Sequence, residues 1–273
     1  RNENARAVYD KDFVYIRNYM PYVQWMQHLS YLWKAKGTVA WDKFVKEGKG
    51  NEAQRKFFFP KMHSEELYDL KNDPDNVNNL IDDKRYSDRA KKMNMALRNW
   101  QIEINDSGLL PEADMVKRAE DLGVTIFEMV RNPEMYDLGG LLDAADLALE
   151  QDPNNASKLR VFIKNKDGGI RYWGMVGLFL INESEGVLPL LKDDSHEVRA
   201  MAAWLLIKSK KNKNEGYACL TQLFRQNSYA MLKLLNIVDW MEEDGEVLMP
   251  IVEKLDFSES NDERYKSQVR EYL

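Results

Sequence analysis

Hydrophobic and polar side chains alternate at the start of the chain, which is typical of a β-hairpin. Residues 5–9 and 13–20 favour extended structure, and the polar residues 10–12 supply the turn between them. Pro21 cannot donate a hydrogen bond to a neighbouring strand, so it is predicted to end the second one. One face of that strand carries Val14, Ile16 and Met20, and the other carries Phe13, Tyr15, Arg17 and Tyr19.

Apolar residues next recur at spacings of three and four, which predicts amphipathic helices. The first helix is expected over residues 25–33, and a shorter one over 39–45, ended by glycines. The longest regular run covers 86–104, where a narrow apolar seam predicts a helix. The aromatic run 57–59, which precedes a proline, is expected to anchor a core because such residues are usually buried.

The stretch EELYDLKNDPDNVNNL, residues 65–80, carries five carboxylates, a composition that could indicate an ion site. A calcium loop that began at Asp73 would need a glycine at its turn, but the stretch has none, and Val77 occupies a ligand position. The stretch is better interpreted as a strand followed by a turn into a helix. Asp73 is predicted to cap that helix and Pro74 to occupy its first position.

From about residue 115 the pattern is helical almost throughout, and segments of it repeat. Residues 167–181 align with 195–208, so that Arg171 and Arg199 coincide at a period of 28 residues, and a third copy starts at Ser228. Repeated helix pairs at such a period predict an α-solenoid, with two or three unrelated helical hairpins as the alternative. The small residues Gly174, Gly177, Ala202 and Ala203 are expected where helices approach closely.

The segment DSHEVRAMAAWLL resembles the HEAT repeat family, whose second helix starts with Asp-x-x-x-Val-Arg. The match is looser in DGGIRYWGM, and in the third copy Met231 occupies the position of the arginine. The resemblance implies a HEAT-like solenoid.

Composition and charge narrow the function classes. A net charge of −6 over 273 residues disfavours nucleic acid as a partner, and no apolar run reaches the ~18 residues that span a bilayer. The single cysteine, Cys219, excludes an internal disulfide and is expected to be a buried thiol. The histidines (His28, His63 and His196) fall in different segments, so no local zinc site is expected. We assign no catalytic and no metal-ligating residue.

Three ordered motifs resemble the C-terminal subdomain of type I sulfatases, the arylsulfatase-like hydrolases. They are ARAVYDKDFVYIRNYMP, then EELYDL with the following Asp-Pro and Asn-Asn-Leu, and YSDRAKKMNMALRNWQIEINDSGLLPE. The resemblance covers residues 1–112 and implies a small antiparallel sheet with packed helices. The expected fold class is therefore α+β, with this subdomain at 1–112 and an all-α HEAT-like solenoid at 113–273.

The resemblance implies a parent protein that hydrolyses sulfate esters or sulfamates, and its glycosaminoglycan-type bacterial members look most similar. Such enzymes use a formylglycine, matured from Cys or Ser, and a calcium ion, both in a larger N-terminal domain. Cys219 is followed by Leu-Thr-Gln and does not fit the formylglycine motif. Because the chain starts at Arg1, we expect that domain to be a missing partner. The fragment would then be inactive, and its parent periplasmic or secreted.

The loop after the hairpin is expected to edge the substrate cleft through Tyr22, Gln24, Trp25 and His28, with ordinary helix packing as the alternative. The solenoid is expected to contact a protein or a sulfated glycan. The rival interpretation is a stand-alone protein- or glycan-binding helical repeat module without enzymatic activity.

Overall fold

The computed structural model describes residues 3–226, 230–256 and 263–273, and the chain divides into two compact units. Unit 1 is Arg1–Ile104 and unit 2 is Asn105–Leu273. The chain is mostly helical with a small three-stranded antiparallel sheet, so its class is α+β. Within the described ranges, no helix combines the length and the apolar character needed to cross a membrane.

The sheet of unit 1 contains the predicted hairpin. Its strands are β1 (Ala5–Tyr9), β2 (Phe13–Asn18) and β3 (Glu65–Asp69), paired antiparallel in the order β1-β2-β3. The Asp10 carboxylate holds the turn, because it accepts the backbone N–H groups of Asp12 and Phe13, each at 2.9 Å. The hairpin and the strand at the start of the acidic stretch are therefore confirmed.

One face of this sheet is covered by the predicted long helix, α4 (Ser87–Ile104). Tyr15 and Leu67 are opposite each other on β2 and β3 and pack against apolar side chains of α4. The helix contributes Ala90, Met93 and Leu97, and the partly buried residues around them are Val8, Phe13, Leu80, Ile81 and Tyr86. The alternation of β2 is thus confirmed, since Phe13 and Tyr15 share the face that packs on α4.

Between β2 and β3 the chain forms the short helices α1 (Ser30–Trp33), α2 (Lys36–Lys46) and α3 (Glu52–Lys56). The helix predicted at 39–45 is confirmed, but the one predicted at 25–33 is wrong over most of its length. Gln24 forms a β-bridge with Pro60, and the Met26 N–H donates to the Phe57 carbonyl at 2.8 Å. Backbone groups engaged with a distant segment are not available for helical bonds.

The helix predicted to start at Pro74 is also absent, because residues 70–83 form turns and bends. The Asp73 carboxylate accepts the N–H groups of Val77 and Asn78, at 3.1 and 2.8 Å, instead of those of the next two or three residues. Asn76 adopts a left-handed φ of 52°, which interrupts helical geometry. Helical structure resumes only at Lys84–Tyr86, a 3₁₀ turn that leads into α4.

Residues 79 and 80 form hydrogen bonds with the outer edge of β3. The Asn79 side-chain oxygen accepts the Leu67 N–H at 2.9 Å, and its amide donates to the Glu65 carbonyl at 3.3 Å. The Leu80 N–H donates to the Leu67 carbonyl at 2.8 Å. Asn79 and Leu80 therefore satisfy backbone groups that an edge strand would otherwise expose.

All regular elements in the described part of unit 2 are helices, as predicted. Its helices are α5 (Glu112–Leu122), α6 (Ile126–Val130), α7 (Leu138–Leu149), α8 (Ala156–Phe162), α9 (Gly168–Leu180), α10 (His196–Lys208), α11 (Lys213–Arg225), α12 (Met231–Trp240), α13 (Met249–Val252) and α14 (Glu263–Tyr272). Neighbours along the chain pack on one another: α9 contacts α7, α8 and α10, and α11 contacts α10 and α12.

The aligned segments of the sequence fall on equivalent helices. The first forms α9 and the second α10, and each helix starts behind a side chain that caps it, Asp167 and Ser195 respectively. The start of the third copy, Ser228, lies outside the described residues, and the remainder of that copy forms α12.

Small residues allow these helices to approach closely, as predicted. A Cβ atom added to Gly174 would lie 2.9 Å from the backbone nitrogen of Ile163, which follows α8. At Gly177 it would lie 3.0 Å from the Cα of Ala148 in α7. Ala202 and Ala203 have no exposed surface.

Gly174→Ala should therefore destabilise unit 2. The added methyl group meets backbone that cannot move independently, and overpacking of this kind costs about 1–3 kcal/mol of unfolding free energy. Urea denaturation, monitored by circular dichroism, measures this change in unfolding free energy. Gly168→Ala is the matched control at the start of the same helix, where the nearest atom to an added Cβ is 3.6 Å away. Equal stability of the two variants would contradict the proposed close approach.

The core of unit 2 contains a buried carboxyl group on α10. Glu197 is 4% exposed, and its Oε2 accepts no hydrogen bond from the described part of the chain. Burial raises the pKa of Glu197 from about 4.5 to about 7, and the positive charge of Lys233 opposes that rise. Lys233 is itself buried and donates to the Tyr172 hydroxyl at 3.4 Å.

The stability of unit 2 should consequently fall as the pH rises from about 4.5 to about 7, because ionised Glu197 is disfavoured in the folded state. Glu197→Gln removes this pH-dependent loss of stability. Above pH 7 the variant should be more stable than the parent by up to about 3 kcal/mol. Near pH 4.5 the two proteins should have nearly the same unfolding free energy. Thermal denaturation across this range measures the effect. Glu253→Gln, at an exposed position, should keep the parental pH dependence. If Glu197→Gln also kept it, ionisation of Glu197 would not be its source.

Candidate functional site

A cleft of about 900 Å³ opens on unit 1 beside α3. Its walls combine aromatic rings with positively charged groups. The residues that matter for its chemistry are Trp25, Arg55, Lys56, Phe59, Lys61 and Glu66. The cleft is therefore a candidate for binding an anionic ligand.

Local sequence explains how α3 brings two cations to the cleft. Asn51 and Gln54 form a capping box that starts the helix, each side chain accepting a backbone N–H of the other. Arg55 and Lys56 occupy the last turn, where positive charge complements the helix dipole. The chain then passes through the aromatic run. Its expected role as a core anchor is wrong at two of three positions, since Phe57 is 41% and Phe59 48% exposed.

Trp25 lies close to two lysines. The Lys56 Nζ is 5.1 Å and the Lys61 Nζ 5.5 Å from the centre of the indole ring, within the range of a cation–π interaction. The Lys61 side chain is 1% exposed and pairs with Glu3 at 3.1 Å, so its charge is already compensated. Lys56 is half-buried at the cleft wall and is better placed to meet a ligand.

A chain of hydrogen bonds runs from Lys56 to a buried carboxylate on β3. The Lys56 ammonium donates to the Tyr68 hydroxyl at 3.3 Å, and that hydroxyl donates to Glu66 at 2.5 Å. Glu66 also accepts from the Asn18 side chain at 2.5 Å. Burial and then the contact with Glu66 raise the pKa of Tyr68, so it remains a neutral donor. Each Glu66 oxygen therefore accepts a hydrogen bond, and the carboxylate orients the Asn18 and Tyr68 side chains.

Comparison with known proteins finds similarity to sulfatases over part of this chain. Over 113 residues the chain is 33% identical to an ulvan-active sulfatase from Formosa agariphila. The aligned region covers 41% of this chain and 19% of that protein. Over 43 residues the chain is 49% identical to the uncharacterized sulfatase YidJ of Escherichia coli. This aligned region covers 16% of this chain and 9% of that protein. Part of the chain is related to sulfatases. The chain thus spans less than a fifth of each of these relatives. No family model and no solved structure matches.

In this sulfatase-related chain, the four predicted edge residues do not converge. Trp25 lines the cleft. Gln24 pairs through its backbone with Pro60, and its carbonyl accepts from Gln27 at 3.3 Å. The His28 ring packs against Trp33 with their centres 4.8 Å apart, and burial lowers its pKa. Tyr22 is partly buried and does not line the cleft.

Sequence reasoning missed Arg55, Lys56 and Lys61. The available signal was their position in QRKFFFPK, where basic residues flank an aromatic run. That pattern gives no indication that Trp25, about thirty positions earlier, would lie close to two of them. The pairing of residues 24–26 with 57–60 creates the arrangement, and it is not visible as local periodicity.

Neither a metal cluster nor a reactive thiol is found in the described part of the chain. Across the described ranges, no group of three or more His, Cys, Asp or Glu side chains could hold a metal ion. Cys219 is buried as predicted, and its thiol lies 3.6 Å from the Leu191 carbonyl. Burial raises the pKa of this thiol, which keeps it protonated and poorly nucleophilic.

Proposed function

We propose that this chain is the C-terminal region of a formylglycine-dependent sulfatase whose parent hydrolyses sulfate esters or sulfamates on glycosaminoglycan-type sugars. Unit 1 would correspond to most of the C-terminal subdomain, which the sequence predicts at residues 1–112. The observation that carries the proposal is the sequence relation to sulfatases over 113 residues. The small sheet with α4 packed on one face supports it, because the resemblance implies that architecture.

In this proposal the reacting groups belong to the N-terminal catalytic domain, the main partner of this chain. That domain would supply the formylglycine and the calcium ion, and its export would place the parent in the periplasm or outside the cell. The chain itself contributes no catalytic group. Cys219 is buried and Glu66 is fully engaged, which agrees with that role.

The cleft of unit 1 would then form an edge of the substrate site. A sulfated sugar offers an anion that Lys56 and Arg55 can bind, and an apolar ring face that can stack on Trp25 or Phe59. Lys56 is held in place by Tyr68 and Trp25, so less side-chain entropy is lost when a ligand binds. Of the four edge residues predicted from sequence, the proposal retains Trp25 and replaces the others with Lys56 and Arg55.

Unit 2 contains the segment 113–273, which is proposed to be a HEAT-like solenoid that contacts a protein or a sulfated glycan. A recurring arginine contact supports this. Arg171 on α9 forms a bidentate pair with Asp193, both distances being 2.7 Å. At the coinciding position on α10, Arg199 donates to Gln222 and Gln226 at 3.2 and 3.4 Å. Each arginine thus connects its helix to the segment that follows it.

The chain should not hydrolyse an aryl sulfate, even with calcium present, because the proposed nucleophile lies in another domain. Release of the phenol is the measurement, and turnover above a heat-denatured control would overturn the assignment. Reading the coding sequence upstream of Arg1 gives an independent check. A Cys/Ser-x-Pro/Ala-x-Arg motif is expected there. A start codon at this point would favour the stand-alone binding module instead.

A sulfated disaccharide should bind the cleft, and Lys56→Met should weaken that binding roughly tenfold, because a charge-assisted hydrogen bond is lost. Isothermal titration calorimetry at low and moderate salt measures both the affinity and its electrostatic share. Lys43→Met is the matched control, since Lys43 is exposed on α2 outside the cleft lining. Equal losses in the two variants would indicate general charge attraction and reject the cleft as the site.

A further inference from the structure

A strained residue lies in the wall of the unit 1 cleft. Met62 adopts a φ of 65°, in a region that residues other than glycine rarely enter. The His63 N–H donates to the Lys61 carbonyl at 2.7 Å, which closes a γ-turn around Met62. A γ-turn with a positive φ at its centre is rare and strained. The backbone is therefore strained at a position that lines the cleft.

The chain on both sides of Met62 holds this conformation in place. Before the turn, the Met62 N–H donates to the Pro21 carbonyl at 3.2 Å. After the turn, the Asn18 side chain donates to the His63 carbonyl at 3.3 Å, and the Asn18 N–H donates to the Ser64 carbonyl at 2.8 Å. The turn thus joins two segments whose positions are fixed by hydrogen bonds, so any residue at position 62 must accept a positive φ.

Glycine would form this turn with the least strain, so the methionine side chain needs an explanation of its own. Burial does not supply one, because Met62 is 69% exposed. The other non-glycine residues with a positive φ in the described part of the chain all carry polar side chains: Asn76, Asn105, Gln151, Asn182, Lys210, Asn212 and Glu242. An apolar side chain at a strained and exposed position of a cleft indicates a contact with a ligand.

Met62 shares the cleft lining with two further exposed apolar side chains. Phe59 is 48% and Val77 49% exposed, and both line the cleft. The methionine side chain is unbranched with three rotatable bonds, so it can adapt its shape to a ligand. The cleft therefore offers the apolar surface of these three residues together with the positive charges of Arg55 and Lys56.

We propose that Met62 determines specificity in the cleft by contacting a short apolar substituent of the bound sugar, such as the methyl group of an N-acyl chain. The sulfate of the same sugar is bound by Lys56, so this inference rests on the function proposed for the cleft above. A sugar with the apolar substituent covers Met62, and its affinity rises with the apolar area removed from water. A sugar with a hydroxyl group at the same position leaves the thioether exposed.

Calorimetric titration of a matched pair of ligands tests this specificity. One sulfated disaccharide is compared with its analogue in which an acetamido group replaces one hydroxyl group of the sulfated ring. The parent chain should bind the acetamido form about fourfold more tightly, which is the effect of burying one methyl-sized group. Met62→Ala should remove this preference. Met95→Ala is the matched control and should keep it, because Met95 is 65% exposed on α4 and does not line the cleft.

Lys56→Met separates this inference from the function proposed for the cleft. It should weaken the binding of both disaccharides by the same factor, because it removes the contact with the sulfate that they share. If neither disaccharide binds the parent chain, the cleft is not a sugar site and the specificity of Met62 is rejected with it. If both bind equally, or if Met62→Ala keeps their ratio, the cleft remains a sulfate site but Met62 does not set its specificity. A protein surface that covers Met62 would give this second result.

A comparison of stability tests the strain without any ligand. Met62→Gly should unfold at a higher urea concentration than Met62→Ala, because glycine accepts the positive φ and alanine does not. Circular dichroism monitors both transitions. Equal midpoints, or the reverse order, would show that position 62 is not strained and would remove the reason for assigning a function to its side chain.

Discussion

The architecture of unit 1 depends on the packing and hydrogen bonding of one buried tyrosine at the centre of β2. Tyr15 has no exposed surface, its hydroxyl donates to Glu65 on β3 at 2.5 Å, and it accepts from Asn94 on α4 at 2.7 Å. One side chain thus joins the central strand, a neighbouring strand and the helix. Because a buried hydroxyl must be satisfied, these contacts fix the position of α4 along the sheet as well as its distance from it.

The position of Tyr15 also determines what the opposite face of the sheet can do. Adjacent residues of a strand point to opposite faces, so Glu65 bonds toward α4 while Glu66 bonds toward the cleft. A shift of β3 by one residue would exchange the two carboxylates and leave Tyr68 and Lys56 without the acceptor that aligns them. The electrostatics of the cleft therefore follow from the core packing on the other side of the same sheet.

Local patterns in the sequence were sufficient for much of this fold. Alternation predicted the hairpin, and spacings of three and four predicted α4 and the paired helices of unit 2. The failures occurred where a long-range contact replaced a local one. Met26 bonds to Phe57 and not to its own helical turn, and Asp73 reaches past the positions of a normal cap. The candidate site was recovered only through Trp25, because the lysines around it converge through tertiary pairing.

The Asn79 side chain has a consequence for how large any assembly of this sheet can become. A primary amide carries a donor and an acceptor, as a peptide group does, and here it occupies the place of a strand beside β3. Endless strand-by-strand growth requires two unsatisfied edges on every molecule. Because the chain itself occupies the β3 edge, growth of this kind is blocked there. Asn79, together with the Leu80 N–H, therefore prevents the sheet from extending into a fibre through β3.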